Sequence, residues 1–401
     1  MKILVQKFGG TSVSTAERRE MLTQRVLHAR AQGYKVVVVV SAMGRRGEPY
    51  ATDTLLSLGD AAFADLAARE KDLLMSCGET ISAVVVAGFL QAKGLAAQAF
   101  TGAQAGILTD SRFGSASCLH VDPRALIAAL EQDIVPVVTG FQGVDAQGAV
   151  TTLGRGGSDT TAALLGVALK AELVEIYTDV DGIMTADPRV APKARVLHSI
   201  SYDEVYQMAD NGAGVIHPRA VDVAMRGSVP LLIRNALSDA QGTLVTHPAG
   251  EAADARSDEP VANISALRNR TQATLRHTSP AQVQEILHLL ADSHISIDLI
   301  NLFPDSAVFT VSDADTPVLD DLFREKGVEY SLLSHCAKVS AIGERMRGIP
   351  GVMARVLTAL QSQGIEVLQT ADSHMTIACL VRGDATDDAV RALHEAFHLD
   401  Q

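Results

Sequence analysis

The chain has 401 residues and a formal net charge of −13, with 47 % hydrophobic and 20 % charged residues. That balance describes two or three folded domains and excludes a wholly disordered chain, while the negative charge excludes a broad basic face for nucleic acid or an anionic membrane. Four cysteines, Cys77, Cys118, Cys336 and Cys379, stand far apart with no C-x-x-C pair, so neither a zinc site nor a disulfide framework is expected. No signal peptide is visible and no apolar run is read as long enough to span a membrane, which together with reduced thiols reads as cytoplasmic.

Ile3 to Phe8 is a short apolar strand running into Gly9-Gly10-Thr11-Ser12, and Ser14 to Arg30 then shows helical spacing. Lys7 therefore ends a strand beside a glycine turn, where it is suited to hold a phosphoryl group; an ordinary solvated strand-end lysine is the alternative. The five valines Val36 to Val40 predict a strand buried on both faces, as in a parallel sheet covered by helices. Ligands collect beyond the carboxyl ends of such strands, which puts Ser41 at a substrate contact. Thr52 and Asp53 follow in a polar loop. Leu55 to Leu74 reads as helix, Ser76-Cys77-Gly78-Glu79 as a break, and Thr80 to Leu90 as a second helix. Glu79 then either accepts the ammonium of an amino acid or complements the dipole of the helix it precedes.

Ala96 to Thr101 and Ile134 to Thr139 are further strands, with a loop from Gly102 to Arg112 between them and Gly140-Phe141-Gln142-Gly143 after the second. Thr151 to Ala162, TTLGRGGSDTTA, reads as a strand end, a glycine loop and a helix start. Gly154, Gly156 and Gly157 let backbone N–H groups approach an anion, and Arg155 can grip a carboxylate with two parallel hydrogen bonds. Asp159 beside an anion site makes sense if it orients a lysine or a metal; the plain alternative is a turn capped by Ser158 or Asp159. Leu173 to Tyr177 is a strand leading into Thr178-Asp179-Val180-Asp181-Gly182. The twelfth position from Asp179 is not glutamate, so a nucleotide pocket is preferred to a calcium loop. Asp187-Pro188-Arg189, Lys193, a helix from Tyr202 to Ala209, His217-Pro218-Arg219-Ala220 and a strand from Pro230 to Arg234 follow.

Strands alternating with helices over 1–246 predict an α/β fold with an open, mostly parallel sheet sandwiched by helices, and neither a P-loop nor a dinucleotide fingerprint is present. Residues 247–260 are acidic, alanine-rich and bounded by prolines, and read as a linker. Beyond them a βαββαβ order runs from Gln272 to Leu333 and recurs from Lys338 to Phe397, so two small modules, 261–334 and 335–401, are expected. The second copy lacks a final strand, and Val261 to Leu267 is the candidate for its missing edge.

These residues carry a resemblance. Lys7-Phe8-Gly9-Gly10-Thr11-Ser12, Ser41-Ala42-Met43, Gly78-Glu79, Gly140-Phe141, Gly154 to Asp159, Thr178 to Gly182, Asp187-Pro188-Arg189 and His217 to Ala220 together resemble the aspartate kinases of the amino acid kinase family, in order along the chain. The repeated modules are similar to the paired ACT domains of those enzymes. The resemblance implies transfer of the γ-phosphoryl group of ATP, carried with Mg²⁺ on its phosphates, to the side-chain carboxylate of L-aspartate. It implies Lys7 and Asp159 as catalytic residues and Ser41, Thr52, Glu79, Phe141, Arg155 and Ser158 around the amino acid. Gly9, Gly10, Thr11, Thr178, Asp179, Arg189 and Lys193 would meet the nucleotide. One position departs from the family pattern: a lysine commonly stands where this chain has Gly214, and Lys193, Arg189 or Arg219 is expected to supply its charge. The segment Thr370 to Ile377 is similar to the diaminopimelate-sensitive type, so meso-diaminopimelate, or else lysine or threonine, is the expected effector. Asp298, Asn301, Asp372, Ser373 and His374 are the expected effector contacts, with a homodimer formed through the ACT modules. A non-catalytic amino-acid sensor subunit and another amino acid kinase are the rival readings.

Overall fold

The computed structural model of the protein describes residues 1–62, 66–247, 259–276, 280–344, 346 and 349–401. They form two compact units. One holds Met1–Ile183, Val196–Tyr206 and the chain onward from Gly214; the other holds Met184–Arg195, Gln207–Ala213 and the chain to Gln401. Of the expected linker, residues 248–258 lie outside the described residues.

The first unit is built on an eight-stranded sheet in the order Ser199–Ser201, Thr243–Thr246, Leu231–Asn235, Leu173–Thr178, Ile3–Phe8, Lys35–Val40, Val135–Thr139, Ala97–Phe100. Only Leu231–Asn235 and Thr243–Thr246 run antiparallel. Val36 to Val40 are fully buried, as their uninterrupted β-branched run requires in a parallel strand covered on both faces. Helices Ala16–Ala31 and Ala68–Ala92 pack Leu22, Val26, Val86 and Leu90 against Leu4, Phe8, Val38 and Val40. Helix Gly157–Ala168 lies close to the strand Leu173–Thr178 because Gly166 has no side chain: a Cβ there would stand 2.4 Å from Val174.

Two local expectations are overturned. Gly102 to Arg112 is not all loop, since Ile107–Thr109 joins Cys118–Val121, Gln142–Val144 and Val150–Thr152 in a separate four-stranded sheet. Nor does the chain break at Ser76 to Glu79: helix Ala68–Ala92 runs straight through. Gly78 is there for proximity, as a Cβ would lie 2.8 Å from Ala42 Cβ and 3.0 Å from the Tyr50 carbonyl. By length and composition this helix is also apolar enough to cross a bilayer, against the reading of the sequence. One face of it packs into the fold, with Asp72 and Glu79 buried.

In the second unit six strands follow the order Asp298–Leu302, Ser306–Ser312, Asn263–Arg276, Glu329–Ile342, Thr376–Arg382, Gln369–Asp372. The two central strands are long and shared. Gln272 to Arg276 pairs with Glu329 to Leu333, while Asn263 to Leu267 pairs with Lys338 to Ile342. The early segment thus supplies the edge that the second repeat lacks, as expected. The register shifts between Leu267 and Gln272, and Asn269 and His335 adopt left-handed backbone at φ 57° and 58°. One apolar core, with Phe309, Leu319 and Phe323, serves the first module, and another, with Val356, Leu393 and Phe397, serves the second.

Candidate active site

The parallel strands of the first unit end together, and the turns that follow them enclose a cleft of about 320 Å³. Lys7, Gly10, Ser41, Thr52, Glu79, Phe141, Arg155, Ser158 and Asp159 all line it. Residues as far apart in the chain as Lys7 and Asp159 meet here because Ile3–Phe8 sits centrally in the sheet, between Lys35–Val40 and Leu173–Thr178. This is the crevice beyond the carboxyl ends of the strands where open α/β sheets bind ligands.

Lys7 Nζ lies 2.6 Å from Asp159 Oδ1, with the two side chains 11 % and 14 % exposed. At that burial the pair is held in a weakly screened setting, so the ammonium is fixed in position. Asp159 lies in the first turn of helix Gly157–Ala168, where a carboxylate also complements the helix dipole. The helix is not capped by Ser158 or Asp159: its N-cap is Gly156, which has φ 65° and makes no side-chain cap. Glycine is obligatory there, since a Cβ would stand 2.1 Å from His217 Cβ. His217 in turn caps helix Pro218–Arg226 by accepting from the Arg219 N–H, and burial, reinforced by Arg219, holds its imidazole below the usual range.

Glu79 is 2 % exposed. Its Oε1 accepts from the Ala42 N–H at 3.1 Å, and its Oε2 has no hydrogen-bond partner among the described residues. Burial pushes its carboxyl up from 4.5 to about 7, against the lowering effect of the Ala42 N–H. A buried acceptor left open beside a cleft is a receptor for a donor, and a cation suits it best. Phe141 holds a left-handed backbone at φ 70°, pinned by the Thr161 hydroxyl, which accepts from its N–H, and by its carbonyl, which accepts from the Leu153 N–H. Strain of this kind is kept where the surroundings over-determine it.

Asp72 is the residue that sequence reasoning missed most completely. Fully buried, it accepts from the Gly114 and Thr152 N–H groups and from the Thr152 hydroxyl at 2.7 to 3.0 Å. It lies on the face of helix Ala68–Ala92 that also carries Ser76, whose carbonyl accepts from Gln142 at 3.0 Å, and Glu79. One helix face thus ties the segments at Ala42, Gly114, Gln142 and Thr152. Arg45 and Arg46 also line the cleft, and Arg45 reaches Asp179 at 3.2 Å on the exposed rim. Gly44-Arg45-Arg46-Gly47 just past a strand end was the available signal.

Other expected contacts are not brought to the cleft wall. Gly9 and Thr11 flank Gly10, and Thr178 ends, with Asp179 just beyond, the strand beside Ile3–Phe8, but none lines the cavity. Arg189 and Lys193 belong to the second unit, where Arg189 binds Asp187 and Lys193 lies 3.4 Å from Asp400. Arg219 donates to the Leu153 carbonyl at 2.7 Å and so braces the glycine loop. A Cβ at Gly214 would meet nothing within 4 Å.

In the second unit Asp298 and Asn301 stand on an edge strand, and Asp372, Ser373 and His374 are exposed around the turn at the opposite edge. Gln369 joins the two edges, donating to Asn301 Oδ1 at 2.6 Å and accepting from Gln272 at 3.1 Å. Asp298 forms an ion pair with Lys338, which is only 6 % exposed.

The amino acid kinase family model matches residues 2–235, and an ACT domain model matches residues 332–395. Over 408 residues the chain is 43 % identical to aspartokinase 1 of Bacillus subtilis, covering 100 % of both. The chain belongs to the aspartokinase family. Its fold is similar to that of the aspartate kinase from Synechocystis, with TM-score 0.83 and 26 % identity over 99 % of this chain and 98 % of that one. Aspartokinase III of E. coli is similar in two states, both at 28 % identity over 99 % of this chain and 100 % of that one. Its R-state complex with aspartate and ADP gives TM-score 0.79, and its T-state complex with lysine and aspartate gives 0.76. The large sheet with its covering helices is therefore the amino acid kinase fold of an aspartokinase.

Proposed function

We propose that this aspartokinase, in a cytoplasmic setting, transfers the γ-phosphoryl group of ATP to the side-chain carboxylate of L-aspartate in the cleft around Lys7. The observation that carries the residue roles is the facing set of Arg155, the open Oε2 of Glu79 and the Lys7–Asp159 pair in one cavity. An amino acid with a second carboxylate matches that set group for group. Arg155 receives the α-carboxylate by a bidentate contact, Glu79 receives the ammonium, and the side-chain carboxylate is left to point at Lys7. Ser41, Thr52, Phe141 and Ser158 close the pocket around it.

The substrate carboxylate is itself the nucleophile, so the protein's work is positioning and charge stabilisation. Lys7 stabilises the charge on the transferring phosphoryl oxygens, and Asp159 keeps its ammonium from swinging away. Gly10 lets the turn after Lys35–Val40 close onto the turn that follows Lys7: a Cβ there would stand 2.4 Å from the Ala42 carbonyl. Gly9, Thr11, Thr178 and Asp179 are the nucleotide contacts and Arg45 the rim cation next to Asp179, while Arg189 and Lys193, which belong to the second unit, are assigned no contact here. Mg²⁺ is expected to be carried on the ATP phosphates. When bound, that ion neutralises phosphate charge.

The ACT half binds an end-product amino acid, meso-diaminopimelate in preference to lysine or threonine, at the edges holding Asp298 and Asn301 and Asp372, Ser373 and His374. It also pairs two chains. Edge strand Asp298–Leu302 and the turn beyond it expose Ile300, Leu302 and Phe303 at 41 %, 59 % and 52 %, an apolar edge suited to a second copy. The test is ADP release measured with and without aspartate, then with each effector. Release that does not depend on aspartate would refute the catalytic reading. Inhibition by lysine or threonine but not by meso-diaminopimelate would refute the effector reading alone.

A further inference from the structure

A second cavity of the first unit, of about 500 Å³, shares no lining residue with the catalytic cleft. One wall is a face of helix Ala16–Ala31, with Met21, Gln24, Arg25 and His28 at helical spacing; the other is Arg234, near the end of strand Leu231–Asn235, and Asp239 in the turn after it. Arg25 and Arg234 converge on Tyr177, their guanidinium carbons 6.0 and 5.7 Å from the centroid of its ring. Phe8 stacks on that ring at 4.6 Å and holds it in place. The two arginine side chains are only 17 % and 19 % exposed, so their charges repel with weak screening unless anions balance them. The balance is incomplete. Glu175 meets Arg234 at 3.3 Å but also accepts from the Gln6 amide at 2.7 Å and the Tyr177 hydroxyl at 3.0 Å. Arg25 has Asp239 at 3.1 Å, and that carboxylate is 97 % exposed, where an ion pair contributes little. Hydrogen bonding is incomplete as well. Arg234 reaches Glu175 and the Ala240 carbonyl only at 3.3 and 3.5 Å, beyond the usual range, and its Nε has no acceptor among the described residues. Arg25 donates from Nη2 alone, to the Ser238 carbonyl at 2.6 Å and to Asp239.

We infer that this cavity binds an organic anion through a phosphate or carboxylate head held between Arg25 and Arg234. Either head presents the oxygens that a guanidinium fork meets with two parallel hydrogen bonds. The volume exceeds what such a head fills and lies in the range of sites for small organic molecules, so a body comes with it. Met21 offers that body an apolar contact, and Gln24 and His28 offer polar ones. Asp239 is the competitor already in place. The ligand's oxygens replace it on Arg25, and the displaced carboxylate loses little because it stands almost wholly in water. Arg234 meanwhile retains Glu175, which keeps that buried carboxylate paired. The site lies wholly within the first unit, and it stands whatever the cleft around Lys7 transfers.

The full chain is titrated calorimetrically with phenyl phosphate and, separately, with benzoate. Saturable binding of at least one of them is expected, and the tighter of the two identifies the head. Arg25→Gln should weaken that binding about tenfold or more, since it removes a charge-assisted contact. Asp239→Asn, which removes the competitor, should tighten it by about two- to fivefold. The opposite signs of these two substitutions separate this cavity from the cleft around Lys7, which also offers cations and would respond to neither. Thermal unfolding midpoints close to native show that both variants are folded, and Asp239→Asn, at a side chain in open water, tests the site even if Arg25→Gln is not. Failure of both probes to bind the native chain, binding within twofold of native in folded Arg25→Gln, or weaker binding in Asp239→Asn overturns the inference.

Discussion

Glu79→Gln is the sharpest perturbation available, because it leaves shape intact and removes only the ability to carry charge. The carboxyl is pushed up to about 7 from 4.5 by burial. A shift of that size corresponds to roughly 3 kcal/mol of differential interaction between its two protonation states. The sign follows from the direction. The folded chain holds the proton more tightly than the unfolded one, so stability falls as pH rises from 4.5 through about 7 and stays low above it. In the absence of substrate, Glu79→Gln should therefore be the more stable protein above pH 7, by up to about 3 kcal/mol, with little difference near pH 4. Substrate reverses the balance. Replacing a charge-assisted bond to the ammonium by a neutral one should cost about 1.5 to 3 kcal/mol, or roughly 10- to 150-fold in the KM for aspartate, while the KM for ATP changes little. In the native enzyme the same KM should climb as pH falls below about 7, since protonation removes the receptor's charge, and the variant should lose that dependence. Initial rates of ADP release across pH 5.5 to 9, with urea unfolding at the same pH values, measure both effects. An aspartate KM within threefold of native at pH 8, or an undiminished pH dependence in Glu79→Gln, would show that the ammonium binds elsewhere.

Lys7→Ala should lower kcat by about 100- to 1000-fold, with smaller effects on either KM, and Asp159→Asn should fall between it and native; steady-state kinetics decide. Gly156→Ala forces a left-handed alanine and a Cβ 2.1 Å from His217, so roughly 2 kcal/mol of stability should be lost along with the placement of Arg155, read by denaturant unfolding and by the aspartate KM. Asp72→Ala leaves the buried Thr152 N–H and hydroxyl without their acceptor and should destabilise by roughly 3 kcal/mol, again by unfolding. Asp298→Ala strips the buried Lys338 of its ion-pair partner and should cost about 2 kcal/mol, whereas Lys338→Met should be better tolerated, which would mark the pair as structural rather than solely a ligand contact.

Much of this protein was legible in its residues, and for an identifiable reason. A run such as Val36 to Val40 can only be satisfied by a strand covered on both sides, and glycines at Gly154, Gly156 and Gly10 stand where backbone conformation or close approach admits nothing else. Spacing of that kind is local, so the alternation of strand and helix, the strand-end position of Lys7 and the repeat of the C-terminal modules could be read along the chain. Even the borrowed edge at Asn263 to Leu267 was visible as a missing strand in one copy and a spare one before the other.

What the tertiary structure decided is everything that depends on approach between distant segments. Gly78-Glu79 reads locally as a helix break; only the contact with Ala42 and Tyr50 explains a glycine in mid-helix, and only burial turns Glu79 from a first-turn carboxylate into an open receptor. Asp72 has no distinguishing neighbours in sequence, because its partners at Gly114 and Thr152 are brought by other elements. Gln369 joins two module edges for the same reason. Composition and periodicity dictate which backbone each segment adopts, but burial and partnership are properties of pairs far apart in the chain. The chemistry of Glu79, the clamp at Asp72 and the convergence of Arg25 and Arg234 on Tyr177 therefore exist only once the sheet has gathered its strands.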